Sequence, residues 1–129
     1  MVIMGLVKMI GALVGDIIGS PYEFGGVKRT DFELFKEESQ FTDDSVMTLA
    51  VAKWLVEDKE HTIEKLIKYM QELGRKYPDA GYGRHFYSWL FDNNPQTYYS
   101  FGNGAGMRVS PVGHVNTQAE YFFKVKLLF

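Results

Sequence analysis

The sequence predicts an all-α protein built as one domain. Apolar residues recur three and four positions apart in several segments, which is the spacing of one face of a helix. Residues that commonly begin and end helices flank these segments, and no segment alternates apolar and polar residues for long enough to demand a β-strand. The chain has 129 residues, of which 46% are hydrophobic. This is the size of one ordinary domain, with enough apolar material for a core.

The first predicted helix covers residues 7–20 and is expected to be buried. Ile10, Val14 and Ile17 follow helical spacing. Three glycines fall four positions apart on one face, namely Gly11, Gly15 and Gly19. Because glycine inside a helix costs up to about 1 kcal/mol relative to alanine, this face is expected to let another backbone come close. Pro21 is predicted to end the helix.

An irregular loop, residues 22–40, is predicted to lead into two longer helices. The first of these begins at Thr42 and keeps one apolar face until the sequence turns polar at residues 57–59. The second has the clearest 3.6-residue stripe in the chain. It begins after Thr62, a plausible N-cap, and Tyr77-Pro78 stops it.

A turn at residues 81–83 is predicted to lead into a short helix that residues 93–95 close. A glycine-dense loop, residues 100–108, follows it. Glycine leaves the backbone uncovered, so such a loop lets backbone N–H groups approach an anion.

Charge and composition narrow the expected partners. The net charge is −2, from 14 basic and 16 acidic residues without a block of either sign, so neither nucleic acid nor an anionic membrane is expected as a partner. The chain has no cysteine, which excludes disulfides and fits a reducing compartment, so a cytoplasmic protein is expected. Lys8 and Asp16 interrupt the apolar N-terminus and no small-residue cleavage site follows it, which argues against a membrane span or a secretory signal.

Residues 42–45 carry the most informative pattern, two adjacent carboxylates between two hydroxyls at a predicted helix start. Thr42, Asp43 and Asp44 offer the hard oxygen ligands that Mg²⁺, Mn²⁺ and Ca²⁺ prefer. The alternative is a plain helix start, because a threonine N-cap followed by acids is what the helix dipole favours. Without a cation, two buried carboxylates would repel each other and one would take up a proton.

Three further residues are open to a functional or a structural interpretation. Arg108, at the end of the glycine-dense loop, suits a phosphate clamp, although an arginine in a loop is more often solvated. Glu23 is by itself expected at the surface. Asp16 is expected to be a buried hydrogen-bonding residue rather than a catalyst. The three histidines lack the spacing of a zinc site.

Several segments, in this order, resemble the ADP-ribosylglycohydrolase family. They are the glycine-rich segment 9–24 that ends in Gly-Ser-Pro-Tyr-Glu-Phe, Phe-Thr-Asp-Asp-Ser at 41–45, Gly-Tyr-Gly at 81–83, Ser-Phe-Gly-Asn-Gly-Ala-Gly-Met-Arg at 100–108 and Ser-Pro-Val-Gly at 110–113. The family includes the dinitrogenase reductase-activating glycohydrolases and hydrolases that act on ADP-ribosylated arginine or serine. The resemblance covers residues 9–113.

The resemblance implies an orthogonal helical bundle that holds two Mg²⁺ or Mn²⁺ ions in a cleft for ADP-ribose. It implies that Thr42, Asp43 and Asp44 are metal ligands. It also makes Glu23 the catalytic acidic residue near the scissile bond. The implied substrate-binding residues, which hold the diphosphate and the neighbouring ribose, are Ser100, Phe101, Gly102, Asn103 and Gly104, with Arg108 beside them. The implied activity is hydrolysis of the N- or O-glycosidic bond of an ADP-ribosylated protein or a small ADP-ribose derivative.

The chain is expected to divide into residues 1–113, the N-terminal part of one ADP-ribosylglycohydrolase-like domain, and a divergent tail, residues 114–129. Family members run on and supply an Asp-x-Asp followed by Ser or Thr, which this tail does not contain. We therefore expect a truncated or frameshifted chain with an incomplete metal pair. The alternative for the tail is a short helix or strand that packs on the core. The alternatives for function are a non-catalytic ADP-ribose-binding remnant and a self-associating interaction protein.

Overall fold

The computed structural model describes residues 2–115 and 118–126, and within these residues every regular element is helical. The α-helices are α1 (Val2–Gly19), α2 (Asp43–Glu57), α3 (Ile63–Lys76), α4 (Arg84–Phe91), α5 (Gly104–Met107) and α6 (Gln118–Lys126). Short 3₁₀ turns, Ser20–Tyr22 and Ser110–His114, follow α1 and α5. The predicted all-α class is confirmed.

The core lies around α2, which packs on α3 and also contacts α1 and the Ser110–His114 turn. The largest fully buried side chains come from α2, α3, α4 and α6 and include Trp54, Met47, Leu66, Met70, Leu90 and Val125. The indole Nε1 of Trp54 donates a hydrogen bond to the carbonyl oxygen of Thr62, at 2.9 Å. The side chain at the middle of the core therefore also ties α2 to the start of α3.

Helix α3 has the bounds that the sequence predicts and makes a tight seam with α4. The side chain of Thr62 accepts a hydrogen bond from the backbone N–H of Lys65, as an N-cap does. At the other end, a Cβ placed on Gly74 would lie 2.5 Å from Leu90 Cδ2. The Arg75 Nε also donates to the carbonyl oxygen of Leu90, at 2.6 Å, and so caps the end of α4. Both contacts hold α3 and α4 in close register.

Helix α1 begins earlier than predicted, at Val2, and ends at Gly19. Pro21 lies in the 3₁₀ turn that follows, which agrees with its predicted role as a helix stop. Among the residues that the structure describes, no helix has both the length and the apolar character that crossing a membrane requires.

The prediction that this first helix is buried is wrong. Ile10 is 51% exposed and Val14 is 37% exposed. A Cβ placed on Gly11, Gly15 or Gly19 would meet no atom within 4 Å. The physical reason is that α1 packs on α2 and the Ser110–His114 turn with one side only, where Met9 is buried. Its glycine face stays open among the described residues.

Between α1 and α2, the chain from Glu23 to Phe41 forms no helix or strand, in line with the predicted loop. The glycine-dense segment differs from its prediction, because residues 104–107 form one helical turn, α5. This turn forms because the carbonyl oxygen of Asn103 accepts hydrogen bonds from the N–H groups of Gly106 and Met107.

The tail contains a short helix, α6, that packs on the core. Val125 is fully buried, and the ring of Tyr121 lies 5.7 Å from the ring of Trp54. Residues 116–117 and 127–129 of the predicted divergent tail lie outside the described residues. A packed helix was one of the two interpretations that the sequence left open for this segment.

Candidate metal centre and substrate cleft

The start of α2 is held by local capping and by one neighbouring segment. Thr42 is the N-cap, with extended backbone geometry, and its hydroxyl oxygen accepts a hydrogen bond from the N–H of Asp44 at 3.3 Å. The N–H of Asp43 donates to the carbonyl oxygen of Ala80 at 2.7 Å. The predicted helix start at Thr42 is therefore confirmed, and the segment before α4 fixes its position.

Asp16 of α1 supplies the remaining partners of this helix start. One carboxylate oxygen, Oδ1, accepts from the Thr42 hydroxyl at 2.5 Å. The other, Oδ2, accepts from the N–H of Thr42 at 2.7 Å, and from the N–H and hydroxyl of Ser45 at 3.2 Å and 2.6 Å. Asp16 is thus a hydrogen-bonding residue, as the sequence suggests. The signal for it was a charged side chain inside an otherwise apolar and glycine-rich helix, because such a group needs partners.

One cleft, of about 430 Å³, opens between α1 and the start of α2. We call it the carboxylate cleft, because its lining includes Asp16, Glu23 and Asp44. Gly15 and Gly19 of the open α1 face form another part of its wall. The structure therefore brings Glu23, which is exposed and distant in sequence, to the same cleft as Asp44.

A second cleft, of about 410 Å³, lies on the other side of α5, and we call it the aromatic cleft. All six residues predicted to bind substrate line it: Ser100, Phe101, Gly102, Asn103, Gly104 and Arg108. Asp43 lines it as well, together with the rings of His85, Phe86 and Tyr98. Sequence reasoning did not assign these three rings to a site, because aromatic residues at helical spacing are more often core.

The two clefts meet at Asn103 and Met107, which line both of them. The hydroxyl of Thr48 in α2 donates to the carbonyl oxygen of Met107 at 3.3 Å, which ties α5 to α2 at this junction. Asp43 borders the aromatic cleft and Asp44 the carboxylate cleft. This division follows from helix geometry, because consecutive helical residues point about 100° apart.

The acidic groups at the start of α2 are crowded. Burial and the neighbouring carboxylates of Asp44 and Glu23 raise the pKa of Asp43 to about 6. Burial also raises the pKa of Asp44, together with the negative charges of Asp16 and Glu23. Such shifts are expected wherever partly buried carboxylates are brought close together.

The positive charge of Arg108 opposes these pKa shifts of Asp43 and Asp44, and its side chain is only 2% exposed. Its guanidinium lies over the ring of Phe86, 4.8 Å from the ring centroid. A Cβ placed on Gly104 would lie 2.6 Å from its Nη2, so the guanidinium would have to shift if this glycine were replaced. Burial lowers the pKa of Arg108 to about 10, against the opposing effect of Tyr98, Asp43 and Asp44, so it stays charged at neutral pH. Of the two interpretations that the sequence leaves open for Arg108, the solvated loop arginine is therefore wrong.

The donor set at the start of α2 suits a hard cation but does not enclose one. Thr42, Asp43 and Asp44 offer one hydroxyl and two carboxylates, and Mg²⁺ is commonly held by one or two carboxylates with water and substrate phosphates in its other positions. Within the part of the chain that the structure describes, no group of three or more His, Asp or Glu side chains is placed to hold an ion. The donor types present therefore fit an open site, in which water and substrate oxygens would complete the coordination.

Comparison with known proteins identifies the family of the chain. The model of the ADP-ribosylglycohydrolase family matches residues 7–125, which include most of α1, both clefts and most of α6. No curated protein and no solved structure matches the chain significantly. Because the matched residues make up most of the chain and its fold is all-α, the chain belongs to the ADP-ribosylglycohydrolase family.

Proposed function

We propose that this chain binds an ADP-ribosyl group across the two adjoining clefts and takes part in metal-dependent hydrolysis of the N- or O-glycosidic bond that links it to a protein or a small derivative. The observation that carries the proposal is the junction at Asn103, where a cleft rich in carboxylates meets one rich in aromatic rings and glycines. An ADP-ribosyl group has two chemically different ends of this kind. Its nucleoside has a flat ring to stack, and its distal ribose has hydroxyls to orient.

The aromatic cleft is proposed to take the nucleotide end. The rings of Phe101 and Tyr98 offer faces for stacking, and Phe101 is fully exposed. The glycine-dense segment from Ser100 to Gly104 leaves the backbone uncovered beside the cleft, which suits a diphosphate. The buried positive charge of Arg108 at the same wall favours an anion there.

The carboxylate cleft is proposed to take the distal ribose and the scissile bond. Thr42, Asp43 and Asp44, of which Asp44 lines this cleft and Asp43 the adjoining one, would hold Mg²⁺ or Mn²⁺. The bound ion would supply Lewis-acid polarisation of ribose hydroxyls and of water. Glu23 lines the same cleft, where its carboxylate accepts the proton of the water that attacks the anomeric carbon. Charge that develops at that carbon resembles the charge in other glycosyl transfers, so the nearby carboxylates stabilise it.

A second candidate function is ADP-ribose binding without hydrolysis. It is favoured by the composition of the aromatic cleft, whose lining contains all six predicted substrate-binding residues but neither Glu23 nor Asp44. Binding of the nucleotide end therefore does not require the carboxylates of Glu23 and Asp44.

The two candidates are separated by titrating the whole chain with ADP-ribose in a calorimeter, with Mg²⁺, with Mn²⁺ and with EDTA. In parallel, release of ADP-ribose from arginine-linked and serine-linked ADP-ribosyl peptides is followed by chromatography. Release that stops with EDTA supports hydrolysis. Binding that persists in EDTA without release supports the second candidate, and a dimer with no response to ADP-ribose contradicts both and favours self-association.

The substitution Asp43→Asn tests the ligand assignment. Turnover should be abolished and Mn²⁺ binding weakened, because one of two carboxylate donors is lost. Asp79→Asn, at an exposed position away from both clefts, is the matched control and should behave as the unsubstituted chain. Unaltered turnover in Asp43→Asn would rule out the ligand assignment.

A further inference from the structure

We infer that Asp16 is a positioning residue, which orients the hydroxyl of Thr42 toward the proposed metal site rather than merely tying α1 to α2. The inference rests on the proposed function, because it assumes that Thr42 is a ligand. Asp16 already has partners at both ends of its carboxylate. Both of its carboxylate oxygens already accept hydrogen bonds, four in all, at 2.5 to 3.2 Å.

Two hydrogen bonds fix the orientation of the Thr42 hydroxyl. A threonine hydroxyl has one proton and two acceptor lone pairs, and it rotates to suit its partners. Its proton goes to Asp16 Oδ1 at 2.5 Å, and one lone pair accepts from the N–H of Asp44 at 3.3 Å. Because these two contacts fix the rotation of the hydroxyl, they also fix the direction of its remaining lone pair. Asp16 therefore prevents the hydroxyl from turning its proton toward a cation.

Every helix start leaves N–H groups without intrahelical partners, and at the start of α2 these groups find partners elsewhere. Asp16 accepts from the N–H groups of Thr42 and Ser45. The N–H of Asp43 donates to the Ala80 carbonyl, and that of Asp44 donates to the Thr42 hydroxyl. Since these four groups have partners, capping α2 does not depend on the carboxylates of Asp43 or Asp44. Their side chains are left to border the two clefts.

The start of α3 offers an internal comparison. There Asp58 Oδ2 accepts from the N–H of Thr62 at 2.8 Å and from its hydroxyl at 3.0 Å, and Thr62 is the N-cap of α3. Both aspartates accept from the N–H and the hydroxyl of an N-cap threonine, but Asp58 does so with one oxygen and Asp16 with two. Thr62, however, is followed by Ile63 and Glu64, not by two aspartates. Asp58 lines neither cleft, whereas Asp16 lines the carboxylate cleft. Asp58 therefore serves capping alone, whereas Asp16 is inferred to serve capping and ligand orientation together.

The experiment measures Mn²⁺ binding by electron paramagnetic resonance, with MnCl₂ alone as the probe, and thermal unfolding of the same samples in EDTA. Asp16→Asn should weaken Mn²⁺ binding about 10- to 100-fold, the usual effect of removing a group that orients a metal ligand. Asp58→Asn should lower the melting temperature and leave Mn²⁺ binding unchanged. If Asp16→Asn also lowers only the melting temperature, Asp16 is a tether and the inference is overturned.

A double-mutant cycle with Thr42→Val shows whether Asp16 acts through the hydroxyl. In the Thr42→Val background, Asp16→Asn should cause no further loss of Mn²⁺ binding. A full additional loss would overturn the inference, because Asp16 would then act on the ion by another route. If the unsubstituted chain binds no Mn²⁺, the metal part of the proposed function fails, and the inference fails with it. If the unsubstituted chain binds Mn²⁺ and Asp16→Asn binds it equally, the inference alone fails.

Discussion

Glycine is closely packed at the seam between α3 and α4 but has open space around it on the exposed face of α1. At Gly74 the backbone lies so close to Leu90 that a Cβ would come within 2.5 Å of that side chain. On α1, a Cβ at Gly11, Gly15 or Gly19 would meet nothing within 4 Å. The regular spacing of the α1 glycines predicts close helix packing there, yet the close approach occurs at Gly74 of α3.

The comparison separates a region that serves stability from one that serves the proposed site. The seam contributes buried side chains such as Met70 and Leu90 to the core. The α1 face gives Gly15 and Gly19 to the wall of the carboxylate cleft. Close packing and an accessible cleft exclude each other at any one position, so substitutions in the two regions should have effects of opposite sign on stability.

The largest effect is expected at the seam, for Gly74→Ala. The added methyl group would overlap the buried side chain of Leu90, and overpacking of a core costs about 1–3 kcal/mol. Part of this loss is offset by the better helix propensity of alanine, so the free energy of unfolding should fall by about 1–2 kcal/mol. Chemical denaturation measures it. In a Leu90→Ala background, Gly74→Ala should lower the free energy of unfolding less than it does in the unsubstituted chain. An equal loss in both backgrounds would mean that the contact is absent, and the comparison would fail.

An intermediate effect of opposite sign is expected for Asp43→Asn in EDTA above pH 6. The pKa of Asp43 in the fold is raised to about 6, above the ordinary aspartate value, so the folded protein holds more protons than the unfolded chain between these two values. The free energy of unfolding therefore falls as pH rises through this window and stays lower above it. Removing the charge should raise the melting temperature by a few degrees at pH 7.5.

The control for this prediction is Asp79→Asn, whose side chain is exposed. Melting temperatures in EDTA are compared at pH 4.5 and pH 7.5 for both variants and the unsubstituted chain. Asp43→Asn should show a smaller loss between the two pH values than the other two proteins. An equal loss in all three proteins would mean that the crowding of carboxylates at the start of α2 does not lower stability. The contrast between a stabilising seam and a destabilising site would then have no electrostatic basis.

The smallest effect is expected on the α1 face, for Gly11→Ala and Gly15→Ala. Each should raise the free energy of unfolding by about 0.5–1 kcal/mol, because alanine favours the helix and its Cβ meets no atom. Gly15 lines the carboxylate cleft and Gly11 does not, so only Gly15→Ala should weaken ADP-ribose binding in a calorimeter. Destabilisation by either variant would show that the α1 face is covered in solution.

Much of the helix order was predictable because its signals are local. The N-caps Thr42 and Thr62 and the stop at Tyr77 were read directly from the sequence, and α2 and α3 have those bounds. The exposure of Ile10 and the burial of Arg108 were not predictable in this way. Both depend on which distant segments cover a residue, and helical spacing does not contain that information.

For the candidate site, too, only the features that depend on neighbouring residues were predictable. Its donor types could be read from residues 42–45, and its glycine-dense segment from residues 100–104. The meeting of two clefts at Asn103, and the contact of Asp16 with a helix start 26 residues away, could not. These features arise from the packing of α1 and α5 on α2, which joins residues far apart in the chain.

The sequence by itself determined the all-α class, the start of α2 and the chemistry available there, because capping, helical periodicity and ligand type are properties of neighbouring residues. Only the tertiary structure decided that α1 leaves its glycine face open, that Asp43 and Asp44 border different clefts, and that Arg108 is buried under Gly104. Those outcomes depend on how helices pack against one another, and packing is settled by the whole set of contacts rather than by any one segment.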